Sequence, residues 1–235
     1  MKKTKGVAII SISINLILGF LIMYKLGIPY INNKLNPNSV MTSGDYYYLA
    51  KSGLLEELDI SKQDIVFLGD SLTDRNEWQE YFKNNSIKNR GIDGDTTCKL
   101  LERLGSITKG KPSKMFIMVG TNDLNNGKSI EYIVDNYNKI IKEIKSDSPE
   151  TKIYIQSVLP VNEEMNRSNR KNKDIFLLNS KIREVADSYS VQYIDLIPHL
   201  SKNNELIKEF TIDGVHLKSD GYQMWTKAIG KYVTQ

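Results

Sequence analysis

Five short, mostly apolar runs, at about 64–68, 87–91, 114–119, 152–158 and 191–196, punctuate this chain of 235 residues, with helical patterns between them. A strand covered on both faces reads in this way, as a near-continuous apolar segment bounded by turn residues. Helices are expected at about 74–83, 96–104, 129–146, 173–188 and 219–233. The third sets Ile130, Ile133, Val134, Tyr137, Ile140, Ile141 and Ile144 on one stripe with a period of about 3.6 residues. Strand and helix in alternation call for a parallel sheet with right-handed crossovers and helices on both faces. The expected fold class is therefore α/β. It is a three-layer, doubly wound sandwich around a central five-stranded parallel sheet, in one catalytic-size domain over 55–235.

The amino-terminal part is different in kind. Residues 1–37 hold Lys2, Lys3, Lys5, Lys25 and Lys34 and no acid, so the formal charge of +4 is a local property. Residues 38–235 carry 27 basic against 28 acidic side chains, a net of −1. That body lacks the basic field a nucleic-acid partner requires. Residues 6–24 are an uncharged stretch of 19 behind a lysine cluster. As a helix they would run about 28 Å, close to the thickness of a bilayer's hydrocarbon layer. This predicts a signal anchor over 1–25, single-pass, with the rest of the chain outside the membrane; a secreted form after signal cleavage is the alternative. Residues 26–54 read as a linker and juxtamembrane helix, in which Tyr46, Tyr47, Tyr48, Leu49 and Leu54 supply a packing face. One cysteine, Cys98, excludes an internal disulfide framework.

The first strand ends in Gly69-Asp70-Ser71-Leu72. Open α/β sheets bind ligands at the carboxyl ends of their strands, so Ser71 emerges where a nucleophile would stand. The competing reading makes Ser71 the start of the next helix. A serine hydroxyl needs an adjacent base, most often histidine, and only His199 and His216 exist. His216 closes the run Asp213-Gly214-Val215-His216, whose spacing can bring the Asp213 carboxylate to one ring nitrogen while the other faces Ser71. The same run also reads as a plain turn followed by a surface histidine. His199, in Ile197-Pro198-His199-Leu200, has no carboxylate close in sequence. Two further loops offer donors to an oxyanion: Gly94 through its backbone N–H, and Asn122 through its side-chain amide. Each would serve equally as a turn or helix start. Asp70, Asp74, Asp95 and Asp123 read as bracing and capping groups. Neither metal nor cofactor is called for, since two histidines and one cysteine far apart give no zinc spacing and no phosphate-cradling loop is present.

Taken jointly, Gly69-Asp70-Ser71-Leu72, Gly94, Gly120-Thr121-Asn122-Asp123 and Asp213-Gly214-Val215-His216 resemble the SGNH or GDSL-type hydrolases. The branch most similar in pattern is that of platelet-activating-factor acetylhydrolase-like and lysophospholipase/acylesterase proteins. The resemblance covers roughly 64–233 and implies a flavodoxin-like sheet. It implies Ser71 as nucleophile, His216 as general base and Asp213 as its orienter. The Ser71 N–H, the Gly94 N–H and the Asn122 side chain would form the oxyanion hole. The expected function is an extracytoplasmic, membrane-anchored serine esterase acting on a small-molecule or polysaccharide ester, with O-acetyl groups of surface carbohydrate as first choice. Lysophospholipid hydrolysis, O-acyl transfer on the same fold, and a degenerate surface-binding domain are the rivals. The polar stretch 162–173 is expected to be a mobile rim, which argues against a greasy acyl tunnel.

Overall fold

The computed structural model describes residues 42–234. In chain order these form α1 (Ser43–Glu57), β1 (Ile65–Gly69), α2 (Ser71–Asp74), α3 (Trp78–Phe82), β2 (Ile87–Gly91), α4 (Thr97–Glu102) and α5 (Leu104–Thr108). There follow β3 (Lys114–Met118), α6 (Thr121–Asn125), α7 (Ile130–Asp147), β4 (Lys152–Gln156), α8 (Asn172–Ser188), β5 (Gln192–Ile194) and α9 (Ile197–Leu200). The hairpin β6 (Ser201–Lys202) and β7 (Glu205–Leu206), a 3-10 turn at Lys208–Phe210 and α10 (Ser219–Thr234) complete the fold. The sheet has the order β2-β1-β3-β4-β5 with every pair parallel, the five-stranded arrangement expected from the alternation of elements.

Side chains alternate across each strand, so the sheet feeds two cores. Val66, Leu68, Met115, Ile117, Ile153 and Ile155 pack beneath α4, α5, α7 and α8. The stripe read from the sequence of α7 is the face it buries: Ile133, Tyr137, Ile140, Ile141 and Ile144 are all inside. Ile65, Phe67 and Phe116 point the other way, toward Trp78 of α3 and Tyr222, Trp225, Ile229 and Val233 of α10. A run of stacked rings crosses that layer, with Phe67 4.3 Å from Trp78 and 4.9 Å from Phe116, and Phe116 4.6 Å from Tyr154. The chain leaves β1 toward β2 on one side and then crosses to β3 on the other. This reversal of strand order opens a crevice at the carboxyl ends of β1 and β3, where such sheets take ligands.

One part of the expected fold needs correcting. The membrane-spanning helix placed at 6–24 lies outside the described residues, and among the described residues no helix is long and apolar enough to cross a membrane. At 15 residues α1 reaches only about 22 Å, and it carries Asp45, Lys51, Glu56 and Glu57. The architecture described is the α/β sandwich alone. Helix α1 leaves Tyr46, Leu49 and Leu54 exposed, and is tied to the domain through polar contacts. The Tyr47 hydroxyl donates to Asp74 Oδ2 at 2.5 Å and Lys51 Nζ lies 3.1 Å from Asp74 Oδ1.

Candidate active site

Ser71 is the first residue of α2, directly after β1. Asp70 caps that helix, its carboxylate accepting from the Leu72 N–H at 3.0 Å. So the capping role belongs to Asp70, and the Ser71 hydroxyl is free to point elsewhere. It points to the loop after β7: Ser71 Oγ lies 3.1 Å from His216 Nε2, across 145 residues of sequence. On the far side of the ring, His216 Nδ1 lies 2.7 Å from Asp213 Oδ2. An ionised carboxylate only accepts, so Nδ1 carries the proton and Nε2 is left to accept from the serine. Burial pushes the Asp213 carboxyl up, but hydrogen bonds from the His216 ring and from the Val215 and His216 backbone outweigh it, holding the carboxyl below its ordinary value.

The loop that carries this pair is closed on itself. Thr211 Oγ1 donates to the His216 carbonyl at 2.8 Å and accepts from the Gly214 N–H at 3.0 Å. Gly214 has φ +90, and a Cβ there would come within 2.6 Å of the Asn166 N and 2.8 Å of the Asn162 O. The turn 162–166 thus lies against the Asp213–His216 loop, with the Asn162 N–H donating to the Gly214 carbonyl at 2.8 Å. Residues 162–173, expected as a mobile rim, are a hydrogen-bonded wall with Asn162, Arg170 and Asn172 buried. Beside that wall opens a cleft of about 520 Å³, lined among others by Met165, Arg167, Arg170, Ile212 and His216.

Two further loops, after β2 and β3, carry Gly94 and Asn122. Gly94 has φ +75, and a Cβ there would meet nothing within 4 Å, so space lies open beside its backbone. Asn122, at the start of α6, has its amide set by two partners: Nδ2 donates to the Asp95 carbonyl at 2.8 Å, and Oδ1 accepts from Arg170 at 2.7 Å. Ser71 itself adds a first-turn N–H, one of the groups a helix leaves without an internal acceptor. All five residues singled out in the sequence (Ser71, Gly94, Asn122, Asp213 and His216) therefore stand at one edge of the sheet. His199 stands exposed on α9. Among the described residues no group of three or more His, Cys, Asp or Glu could hold a metal ion.

The acidic residues read as braces act as such. Asp123 accepts from the Thr97 N–H at 2.9 Å and hydroxyl at 2.6 Å, joining the loops that follow β2 and β3. Asp95 takes Arg103 Nε at 2.9 Å, and Arg103 also donates to the Gly69 and Arg90 carbonyls, linking the ends of β1 and β2. Burial pushes the Asp95 carboxyl up to about 6 against the pull of Arg103. Burial likewise pushes Asp70 up to about 7, opposed by the Leu72 N–H and aided by Asp95. Asp74 accepts from the Asp93 N–H at 3.1 Å, so α1 touches, through Asp74, the loop that presents Gly94. Sequence reasoning missed Arg103 and Arg170: Arg103 sits among Leu100, Leu101 and Leu104, Arg170 in a basic run with Arg167, Lys171 and Lys173, and neither has a spacing that marks it as buried.

Residues 67–224 match the GDSL-like lipase/acylhydrolase family. The chain belongs to that family. The acylhydrolase is 29% identical over 180 residues to the platelet-activating factor acetylhydrolase IB subunit alpha2 of Rattus norvegicus, covering 73% of this chain and 76% of that one. A solved structure described as a platelet activating factor from Streptococcus pneumonia is 31% identical, with a TM-score of 0.74 over 87% of this chain and 99% of that chain. An acetyl-xylooligosaccharide esterase from Geobacillus stearmophilus, 16% identical, shares the fold with a TM-score of 0.62 over 75% of this chain and 96% of its own.

Proposed function

We propose that this acylhydrolase is a serine esterase that removes small acyl groups through an acyl-enzyme. The observation that carries the proposal is the continuous line Ser71 Oγ–His216 Nε2, 3.1 Å, and His216 Nδ1–Asp213 Oδ2, 2.7 Å. In this reading Ser71 Oγ attacks the ester carbonyl as its proton passes to His216 Nε2. The resulting oxyanion is held by the Ser71 and Gly94 N–H groups and the free amide hydrogen of Asn122. Collapse breaks the bond to the leaving oxygen, which takes the proton from His216 and departs as the alcohol. Water then attacks the acyl-serine, giving its proton to His216. The acid leaves as that proton returns to Ser71.

O-acetyl groups on carbohydrate are the proposed substrate. Support comes from the cleft beside His216, whose wall of Asn166, Arg167, Ser168 and Arg170 is polar. Met165, Ile212 and Val215 supply an apolar patch in the same cleft, where an acyl group can rest. The likeness to platelet-activating factor acetylhydrolase favours a second acceptor for the same chemistry, an acetyl ester on a lipid. Acetate release from acetylated xylan and from platelet-activating factor separates the two. Rates on p-nitrophenyl esters from acetyl to palmitoyl test the size limit. A rate that rises toward palmitoyl, or a Ser71→Ala variant with full activity, overturns the proposal.

A further inference from the structure

Arg170 is a buried cation bonded directly to a candidate oxyanion donor, and the reaction as drawn does not use it. It is only 8% exposed, in the wall that leads into α8. Its Nε donates to Thr121 Oγ1 at 2.9 Å and a terminal nitrogen donates to Asn122 Oδ1 at 2.7 Å. None of the described ion pairs includes it, and the compensating charges of Asp70 and Asp213 act on it through space. A guanidinium withdrawn from water onto neutral acceptors is expensive to keep in a folded protein. Thr121 and Asn122 are adjacent at the start of α6, so both of these bonds fall on the segment that offers the side-chain donor.

We propose that Arg170 is the positioning residue of the oxyanion hole, selecting and holding the one orientation of the Asn122 amide that can donate. This rests on the reading of Asn122 as an oxyanion donor. A primary amide carries two donors at one end and an acceptor at the other, and a half-turn exchanges them. Arg170 can only donate and the Asp95 carbonyl can only accept, so together they allow a single orientation. In that orientation Asp95 consumes one amide hydrogen and the second remains for the oxyanion. The guanidinium charge at Oδ1 also polarises the amide, which strengthens the N–H at its other end. Without Arg170 only the Asp95 carbonyl opposes the half-turn that would put the amide oxygen toward the developing negative charge. Arg170 therefore acts on the transition state more than on the bound neutral ester, and its removal lowers kcat rather than raising KM.

A double-mutant cycle on p-nitrophenyl acetate hydrolysis tests this, using Arg170→Met, Asn122→Ala and the pair. Asn122→Ala is expected to lower kcat about a hundred- to a thousandfold. Arg170→Met should lower kcat about tenfold with KM within about twofold, and should add almost nothing in the Asn122→Ala background. Equal losses from Arg170→Met in both backgrounds, or a loss confined to KM, overturn the proposal. Such additivity is also what a purely structural role would give. If Asn122→Ala itself keeps the parent kcat, the oxyanion reading fails first, and the role of Arg170 falls with it. Should Arg170→Met not fold, Arg170→Lys goes through the same cycle. It keeps the charge but cannot reach Thr121 and Asn122 at once. A kcat loss present with Asn122 in place and absent in the Asn122→Ala background supports the proposal; a loss equal in both overturns it.

Discussion

Replacing Asp213 with Asn probes the histidine tautomer directly. Asp213 Oδ2 faces His216 Nδ1 at 2.7 Å, while Oδ1 accepts from the Val215 and His216 N–H groups at 2.9 and 2.8 Å. Asparagine can keep the two backbone bonds only by turning its NH2 toward Nδ1. The reverse orientation would set the NH2 against two N–H donors, so one spoiled contact is preferred to two. Nδ1 must then accept, the ring proton moves to Nε2, and Nε2 can no longer take the proton of Ser71. The expected loss in kcat/KM is about 10³- to 10⁴-fold, or about 4 to 5.5 kcal/mol of transition-state stabilisation. The lower part of that range is favoured because the Asp213 side chain is 49% exposed, and water can compete for Nδ1. Asp213→Ala, which imposes no tautomer, should lose less than Asp213→Asn. The assay is initial-rate hydrolysis of p-nitrophenyl acetate by variants whose melting curves show them folded. An Asn variant within about tenfold of the parent, or an Ala variant worse than the Asn one, would refute the argument.

Three further outcomes are expected. Asp70 is raised to about 7 in the folded state, which therefore keeps a proton that the unfolded chain gives up at lower pH, so its contribution to stability falls as pH rises through that interval. Asp70→Asn retains an acceptor for the Leu72 N–H and removes this titration; its melting temperature should gain on the parent's between about pH 4 and pH 7, and parallel melting profiles would count against it. Gly214→Ala forces a Cβ against the Asn162–Asn166 turn at a positive φ and should lower both kcat and Tm, as steady-state rates and thermal scans would register. Trp225→Ala empties a fully buried site and leaves Gln156 Oε1 without the indole N–H it accepts at 2.7 Å, so chemical denaturation should show a loss of about 3–5 kcal/mol.

The sheet was legible because strands covered on both faces leave unbroken apolar runs, and the α7 stripe because one face of a long helix is buried. The place of the candidate site was legible where a motif sat next to a strand end, as at Ser71 and Asn122. Breaks within helices were not. The single helix expected at 74–83 is two short ones, α2 and α3, since the chain turns between them to put Trp78 on Phe67 and to send its indole N–H to the Thr73 carbonyl. The helix expected at 96–104 ends at Glu102 because Arg103 turns inward to Asp95 and the strand-end carbonyls. Such long-range polar bonds leave no periodic trace. The β6–β7 hairpin did have a signal that went unread: Asn203-Asn204, both at positive φ (54 and 64), the residue type a two-residue hairpin turn favours.

If Ser71 and His216 work as proposed, their separation of 145 positions also fixes when activity can arise. A chain made from its amino end releases β1 and the serine early, but the histidine loop follows the whole of the sheet. It is held there by Thr211, by the 162–166 turn, and by α10, whose Tyr222 hydroxyl donates to the Leu72 carbonyl beside the nucleophile at 3.0 Å. The ties to the 162–166 turn and to Leu72 close long loops of chain, the kind of contact that forms late in folding. A partly made or partly folded chain thus presents a serine with no base, and hydrolytic competence arrives together with completion of the fold rather than ahead of it.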